Sequence, residues 1–163
     1  MKAPFIRIVP LVMVSLLLLS SASARHMNQP VEFETLAKFF LSGHTEKKNY
    51  VITSKEDWES LWDRVVSRSH PRPAAPEVDF SKHSLIAVFQ GNQPSSGYSI
   101  SVYRLVKSGK KLKIFVREVL PADECVVMLV ITQPFEIILT DKIEDVDRVV
   151  FKVKQDITAC QHN

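Results

Sequence analysis

The segment "HSLIAVFQ" at residues 83–90 limits the possible folds more than any other stretch of the chain. It is a nearly continuous apolar run of strand length, without the alternation that marks a sheet open to water on one side. Successive side chains of a strand point to opposite faces, so a run with no polar set reads as a strand covered on both faces.

Neighbouring segments supply the rest of a β structure. "GYSISVYRLV" (97–106) alternates with Tyr98, Ile100 and Val102 on one side, and the adjacent apolar residues Val102 and Tyr103 mark a slip or a second covered face. "SGKK" is a Ser-Gly turn into "KLKIFVREVL" (111–120), where Leu112, Ile114 and Val116 alternate with Lys113, Phe115 and Arg117. The two segments are expected to form a hairpin. "ECVVMLVIT" (124–132) is expected as another buried run, "FEIILT" (135–140) resumes after Pro134, and "DRVVFKVKQ" (147–155) closes the series. Upstream, "EKKNYVI" (46–52) reads as a strand, and "FETLAKFF" fits a short helix or a strand.

One helix is clear. In "TSKEDWESLWDRVVSR", Thr53 and Glu56 have the capping-box spacing. Trp58, Leu61, Trp62, Val65 and Val66 recur on one helical face and are expected in the core. Acids lie early and Arg64 and Arg68 late, as the helix dipole prefers. The three prolines of "HPRPAAP" exclude a helix and mark an extended connector. The fold class expected is α+β: predominantly antiparallel β, as a curved sheet, sandwich or barrel of six or seven strands, with one main packing helix. Along the chain this divides into a leader (1–24), an N-terminal segment (25–52), the helix with its connector (53–82) and a β domain (83–157).

The leader follows from Lys2 and Arg7, the apolar "IVPLVMVSLLLL" and the small residues of "SASA", with cleavage expected after Ala24. The apolar run is shorter than the roughly 20 residues that span a bilayer, so no integral membrane span is expected in the mature chain. An exported protein, periplasmic or secreted, is the consequence. Lys2 and Arg7 leave with the leader, so part of the formal charge of +3 belongs to it. Lys110, Lys111 and Lys113 read as a solvated strand end, and no nucleic-acid partner is expected. In an oxidising compartment the two cysteines, Cys125 and Cys160, are expected to pair rather than remain two free thiols.

The residue patterns of an enzyme are missing. His26, His44, His70, His83 and His162 are dispersed, and only His83 shares a helical ligand spacing, with Asp79, in a connector that is not a helix. There is no G-x-S-x-G elbow and no phosphate-cradling glycine loop. Asp141, Glu144, Asp145 and Asp147 lack the spacing of a calcium loop and read as solvated. Ser95 or Ser96 would need a base, for which only distant His44 or His83 offers itself. No enzymatic activity, cofactor or metal is expected. In "GNQPSSGY" (91–98), Pro94 fixes one φ, Gly97 permits a positive φ, and the serines can satisfy local backbone groups. The loop is first a strand connection, and on a rigid β scaffold a plausible recognition surface.

The ordered set "VDF", apolar strand, "GNQPSSGY", paired strands, Val116-x-Glu118-x-x-Pro121, and Thr132-x-Pro134-Phe135 resembles the PrcB C-terminal family of bacteria. The resemblance covers roughly residues 50–155, with "WESLW" in the region that precedes this domain in relatives. Ser96 stands where the family loop has the first of two glycines. The resemblance implies an accessory protein that binds and stabilises another protein, with a protease complex as the context. Its partner-binding residues would be Asn92, Gln93, Pro94, Ser95, Ser96, Gly97, Tyr98, Pro134 and Phe135. "NQPSSGY" and "QPF" also resemble, in order, the loops that chagasin-type inhibitors present to papain-like proteases. That resemblance implies an inhibitor presenting the 91–98 loop and the 133–135 step.

Overall fold

The computed structural model describes residues 28–158. The expected leader and Cys160 of the expected bridge lie outside them. Eight strands and one helix follow in the order β1 (Gln29–Val31), β2 (Phe33–Phe39), β3 (Lys47–Ile52), α1 (Lys55–Val65), β4 (His83–Gln90), β5 (Ser99–Ser108), β6 (Lys111–Pro121), β7 (Phe135–Asp141) and β8 (Arg148–Thr158). They make two open four-stranded sheets, β1-β5-β6-β8 and β2-β7-β4-β3. Every pairing is antiparallel except β6 with β8, which is parallel. The arrangement is sandwich-like, not a closed barrel, and it has more strands than the expected six or seven.

The "HSLIAVFQ" run explains the layering. Leu85, Ala87 and Phe89 of β4 pack against Trp58, Leu61, Trp62 and Val65 of α1. Ile86 and Val88, pointing the other way, meet Ile100, Val102, Ile114 and Val116 of the second sheet. The strand is therefore the middle of three layers, and every residue from Ser84 to Gln90 is buried.

The helix begins one residue later than the capping box at Thr53 would place it. Ser54 is the N-cap: its Oγ accepts from the Asp57 N–H (3.2 Å) and donates to Asp57 Oδ2 (2.8 Å). Asp57 thus takes the place expected of Glu56, because a shorter acid can still close the reciprocal pair. The two tryptophans are core residues that also hold the proline connector. Trp58 Nε1 donates to Pro76 O and Trp62 Nε1 to Pro73 O, each at 2.9 Å. "FETLAKFF" is resolved as strand, with Leu36 and Ala37 packed on the helix-side core.

The slip at Val102 and Tyr103 is a β-bulge, since the register with β6 jumps between Val102 and Arg104. A buried carboxylate from the other sheet fits into it: Glu136 of β7 accepts from the Val102 N–H (2.5 Å) and pairs with Lys38 (3.2 Å). A second carboxylate links the sheets at the far end of β6. Glu118 is 1% exposed, pairs with Lys47 of β3 (2.6 Å) and accepts from Gln155 of β8 (3.0 Å). Both groups meet the condition for a buried charge, a counter-ion together with hydrogen bonds. Gly43 has a packing role instead of a turn role: an added Cβ would lie 2.4 Å from Arg64 O, where the chain crosses the helix end. Among the described residues no helix is long and apolar enough to cross a membrane.

His44 lies between β2 and β3 and is buried. Its ring stacks on Phe89 (4.1 Å), Nε2 hydrogen-bonds with Tyr50 Oη (2.8 Å), and Nδ1 has no hydrogen-bond partner among the described residues. Burial disfavours its charged form, and the Arg64 charge acts in the same direction, so its pKa falls below the usual 6.5. The unfolded chain therefore binds this proton more readily than the folded one. Stability is complete above the unfolded pKa and falls as the solution is acidified toward the folded pKa. Unfolding midpoints at neutral pH and at about pH 5 should show a loss on the acid side that His44→Gln diminishes. Equal pH dependence of the parent and His44→Gln would exclude His44 as its source.

Candidate functional site

The 91–98 loop leaves the end of β4 and lies against the segment that joins β6 to β7. Gly91 opens it with φ +76°, and a Cβ there would meet Lys47 N at 2.7 Å, so glycine is required by both conformation and space. The Asn92 N–H donates to Thr45 O (3.0 Å), and Gln133 Nε2 donates to Asn92 Oδ1 (2.9 Å). Gln93 and Thr132 exchange two backbone hydrogen bonds, at 2.8 and 3.0 Å. The Gln90 N–H donates to Pro134 O (3.0 Å).

The two serines fasten the tip. Ser95 is buried, and its carbonyl accepts from Thr132 Oγ1 (2.9 Å). The Ser96 N–H donates to Met128 O (2.9 Å), and Ser96 Oγ accepts from the Met128 N–H (3.0 Å). A glycine at position 96 could not make the second bond, so the departure from the family loop has a structural use. Among the described residues no catalytic constellation assembles around either hydroxyl. Ser95 Oγ donates to Ser96 O (3.1 Å), His44 is engaged by Tyr50, and His83 begins β4 at the end opposite Gln90.

The residues singled out from sequence thus come together, but at two depths. Asn92, Pro94 and Gly97 are exposed, and Gln93, Ser96 and Tyr98 half-buried. Pro134 and Phe135 are buried, Phe135 within the helix-side core, where it stacks on Phe89 (5.8 Å). The 133–135 step lies beside the loop yet is not presented at the surface, so the two-loop contact of an inhibitor lacks its second half.

The largest departure from expectation is the run "ECVVMLVIT". It is neither buried nor a strand. Val126 and Leu129 are fully or almost fully exposed, at 102% and 92%, and Met128, Val130 and Ile131 are exposed as well. Here the chain crosses from β6 of one sheet to β7 of the other. Its backbone contacts are with Ser96 and Gln93 of the loop. An apolar run without alternation reads as buried, but hydrophobicity alone does not tell whether the rest of the fold covers it. Beside it, the Gln133 N–H donates to Phe40 O (2.9 Å), which brings exposed Phe39, Phe40 and Leu41 to the same end. Exposed large apolar side chains gathered at one end make this end the candidate interaction site. Residues 126–131 and 39–41 were absent from the sequence-derived set; their signal was the hydrophobic run itself.

The cysteine at this end, Cys125, has its Sγ 3.8 Å from Thr158 O, at the last residue of β8. The expected partner, Cys160, follows two residues later, outside the described part of the chain.

The family model described as PrcB C-terminal matches residues 84–141. Over this segment the chain is similar to the PrcB C-terminal family. No curated protein and no solved structure matches the chain. The PrcB C-terminal match begins in β4 and ends in β7, so it contains the loop, the hairpin and the exposed apolar run. It also supplies the two central strands of each sheet, β5 and β6 in one and β4 and β7 in the other. The strands outside the PrcB C-terminal match, β1, β2, β3 and β8, are the four edges.

Proposed function

We propose that this chain is an exported, non-enzymatic accessory protein that docks on a protease subunit through the apolar end of its sandwich. The observation that carries this reading is the exposed run 126–131, held at Met128 by Ser96 and anchored at its end by the Gln93–Thr132 pair. A chain that leaves valine, methionine, leucine and isoleucine in water pays for that exposure unless a partner covers them. The PrcB C-terminal match supports a protease complex as the setting. The serine hydroxyls are occupied by backbone groups, which supports binding in place of chemistry.

The docking strip would be Val126, Met128 and Leu129, with Phe39 and Phe40 as its flank and Asn92, Pro94 and Gly97 as a polar rim. A buried apolar centre within a polar rim is the common anatomy of protein interfaces. The test is capture of a protease from native envelope and secreted fractions by the parent and by Met128→Asp/Leu129→Asp. Both positions are exposed, so the double variant should melt with the parent while recovery of the protease falls at least about tenfold, as loss of a central apolar anchor implies. Undiminished recovery would move the interface away from this strip. Concentration-dependent self-association lost in the variant, with no protease captured, would assign the strip to a second copy instead.

A further inference from the structure

The outward face of the sheet β1-β5-β6-β8 is a cationic field that the fold does not need. Arg104 of β5, Lys113 and Arg117 of β6, and Lys152 and Lys154 of β8 alternate with core-facing residues and point away from the sandwich. The bulge in β5 turns Tyr103 and Arg104 outward together, and the register sets Arg104 opposite Phe115 and Arg117 opposite Lys154. Asp156 is the one acid at an outward position of these three strands, and it is shared by Arg117 (2.9 Å) and Lys154 (3.1 Å). Like charges on directly paired positions destabilise a sheet. Net repulsion within one face is relieved when an anionic partner covers it.

The aromatic centre narrows the choice of anion. The Tyr103 and Phe115 rings lie 6.0 Å apart. Arg104 sits 4.1 Å over Phe115, while Arg117 and Lys154 sit 5.7 and 5.2 Å from Tyr103. A single-stranded nucleic acid would stack its bases on open ring faces within a groove. Here the rings are attended by the protein's own cations. The cations form a two-dimensional lattice, about 4.8 Å between strands and about 6.7 Å along them. A planar array of laterally mobile anionic head groups can match such a lattice without a fixed register, and tyrosine suits the boundary between water and lipid.

We infer that this face binds the anionic surface of a phospholipid bilayer, as a peripheral contact independent of the apolar docking strip. The test is co-sedimentation of the purified protein with vesicles of phosphatidylcholine and phosphatidylglycerol in equal parts, and with vesicles of phosphatidylcholine alone. Binding is expected only to the anionic vesicles and should weaken as salt is raised. Arg104→Gln/Lys113→Gln/Lys152→Gln should lower it about a hundredfold, at roughly fivefold for each cation. Lys55→Gln/Arg68→Gln/Lys82→Gln removes the same charge from the helix side and should leave binding close to the parent's. These side chains are solvent-facing, so thermal melts should coincide and confirm that each variant is folded. Equal binding to both vesicle types, equal losses from the two triple variants, or no binding to anionic vesicles would overturn the inference. So would tighter binding of a single-stranded oligonucleotide than of the anionic vesicles, which would make the face a nucleic-acid surface.

Discussion

Trp58→Ala is expected to destabilise the protein by about 3–5 kcal/mol, a large share of the roughly 5–15 kcal/mol that holds a domain of this size. Trp58 is 1% exposed and packs against Trp62, with ring centroids 5.2 Å apart. It stands at the junction of three parts: α1, the β4 face carrying Leu85 and Phe89, and the proline connector that accepts its Nε1–H at Pro76 O. Alanine would leave a cavity under the helix and an unpaired carbonyl in the connector. Neither can relax easily, because the sheet below is itself packed from its other side by the second sheet. Trp58→Phe keeps most of the apolar volume but loses the hydrogen bond, and should cost appreciably less. Urea midpoints followed by circular dichroism would measure both. A loss below about 1 kcal/mol for the alanine variant would show that the helix adds little to the sheet it covers.

Glu136→Ala is expected to cost about 2–3 kcal/mol, and Glu136→Gln much less. The carboxylate reaches from β7 to the Val102 N–H, an amide left without a ladder partner by the bulge in β5. Removing the acceptor orphans that amide inside the sandwich, and an unsatisfied buried donor is costly. Glutamine still offers an oxygen to it. What glutamine loses is the ion pair with Lys38, and Lys38 is about half exposed, so that contact contributes little. Equal losses in the two variants would show that the charge, and not the acceptor, is what matters. A normal midpoint for Glu136→Ala would mean that water replaces the carboxylate at Val102.

Much of this architecture is written in local pattern. The spacing of Trp58, Leu61, Trp62 and Val65 specifies a helix with one apolar face, and that face is the one buried. The lack of alternation in 83–90 requires cover on both sides, and β4 has it. The hairpin follows from alternation on either side of the Ser-Gly turn, and its slip at Val102 and Tyr103 is the bulge itself. The loop 91–98 was legible as turn chemistry and the step 132–135 through the family resemblance, and the structure brings them together. Pro134 and Phe135, however, are buried, Phe135 in the helix-side core, and do not share an exposed surface with the loop.

The failures have one cause. A side chain's hydrophobicity states that it prefers to leave water; it does not state whether the chain's own fold supplies the cover. In "HSLIAVFQ" the preference is met from both sides by α1 and by β5 and β6. In "VVMLVI" the same preference is left unmet, because the segment serves as the connection from β6 in one sheet to β7 in the other and no other element of the described chain covers it. Charge behaves alike. Arg104, Lys113, Arg117, Lys152 and Lys154 are scattered along the chain, and only strand register gathers them on one face around Tyr103 and Phe115. Periods of two and 3.6 residues are set by backbone geometry and can be read along the chain. Which strands become neighbours, and hence which surfaces are left for partners, depends on contacts between residues far apart in sequence, and only the folded sandwich settles those.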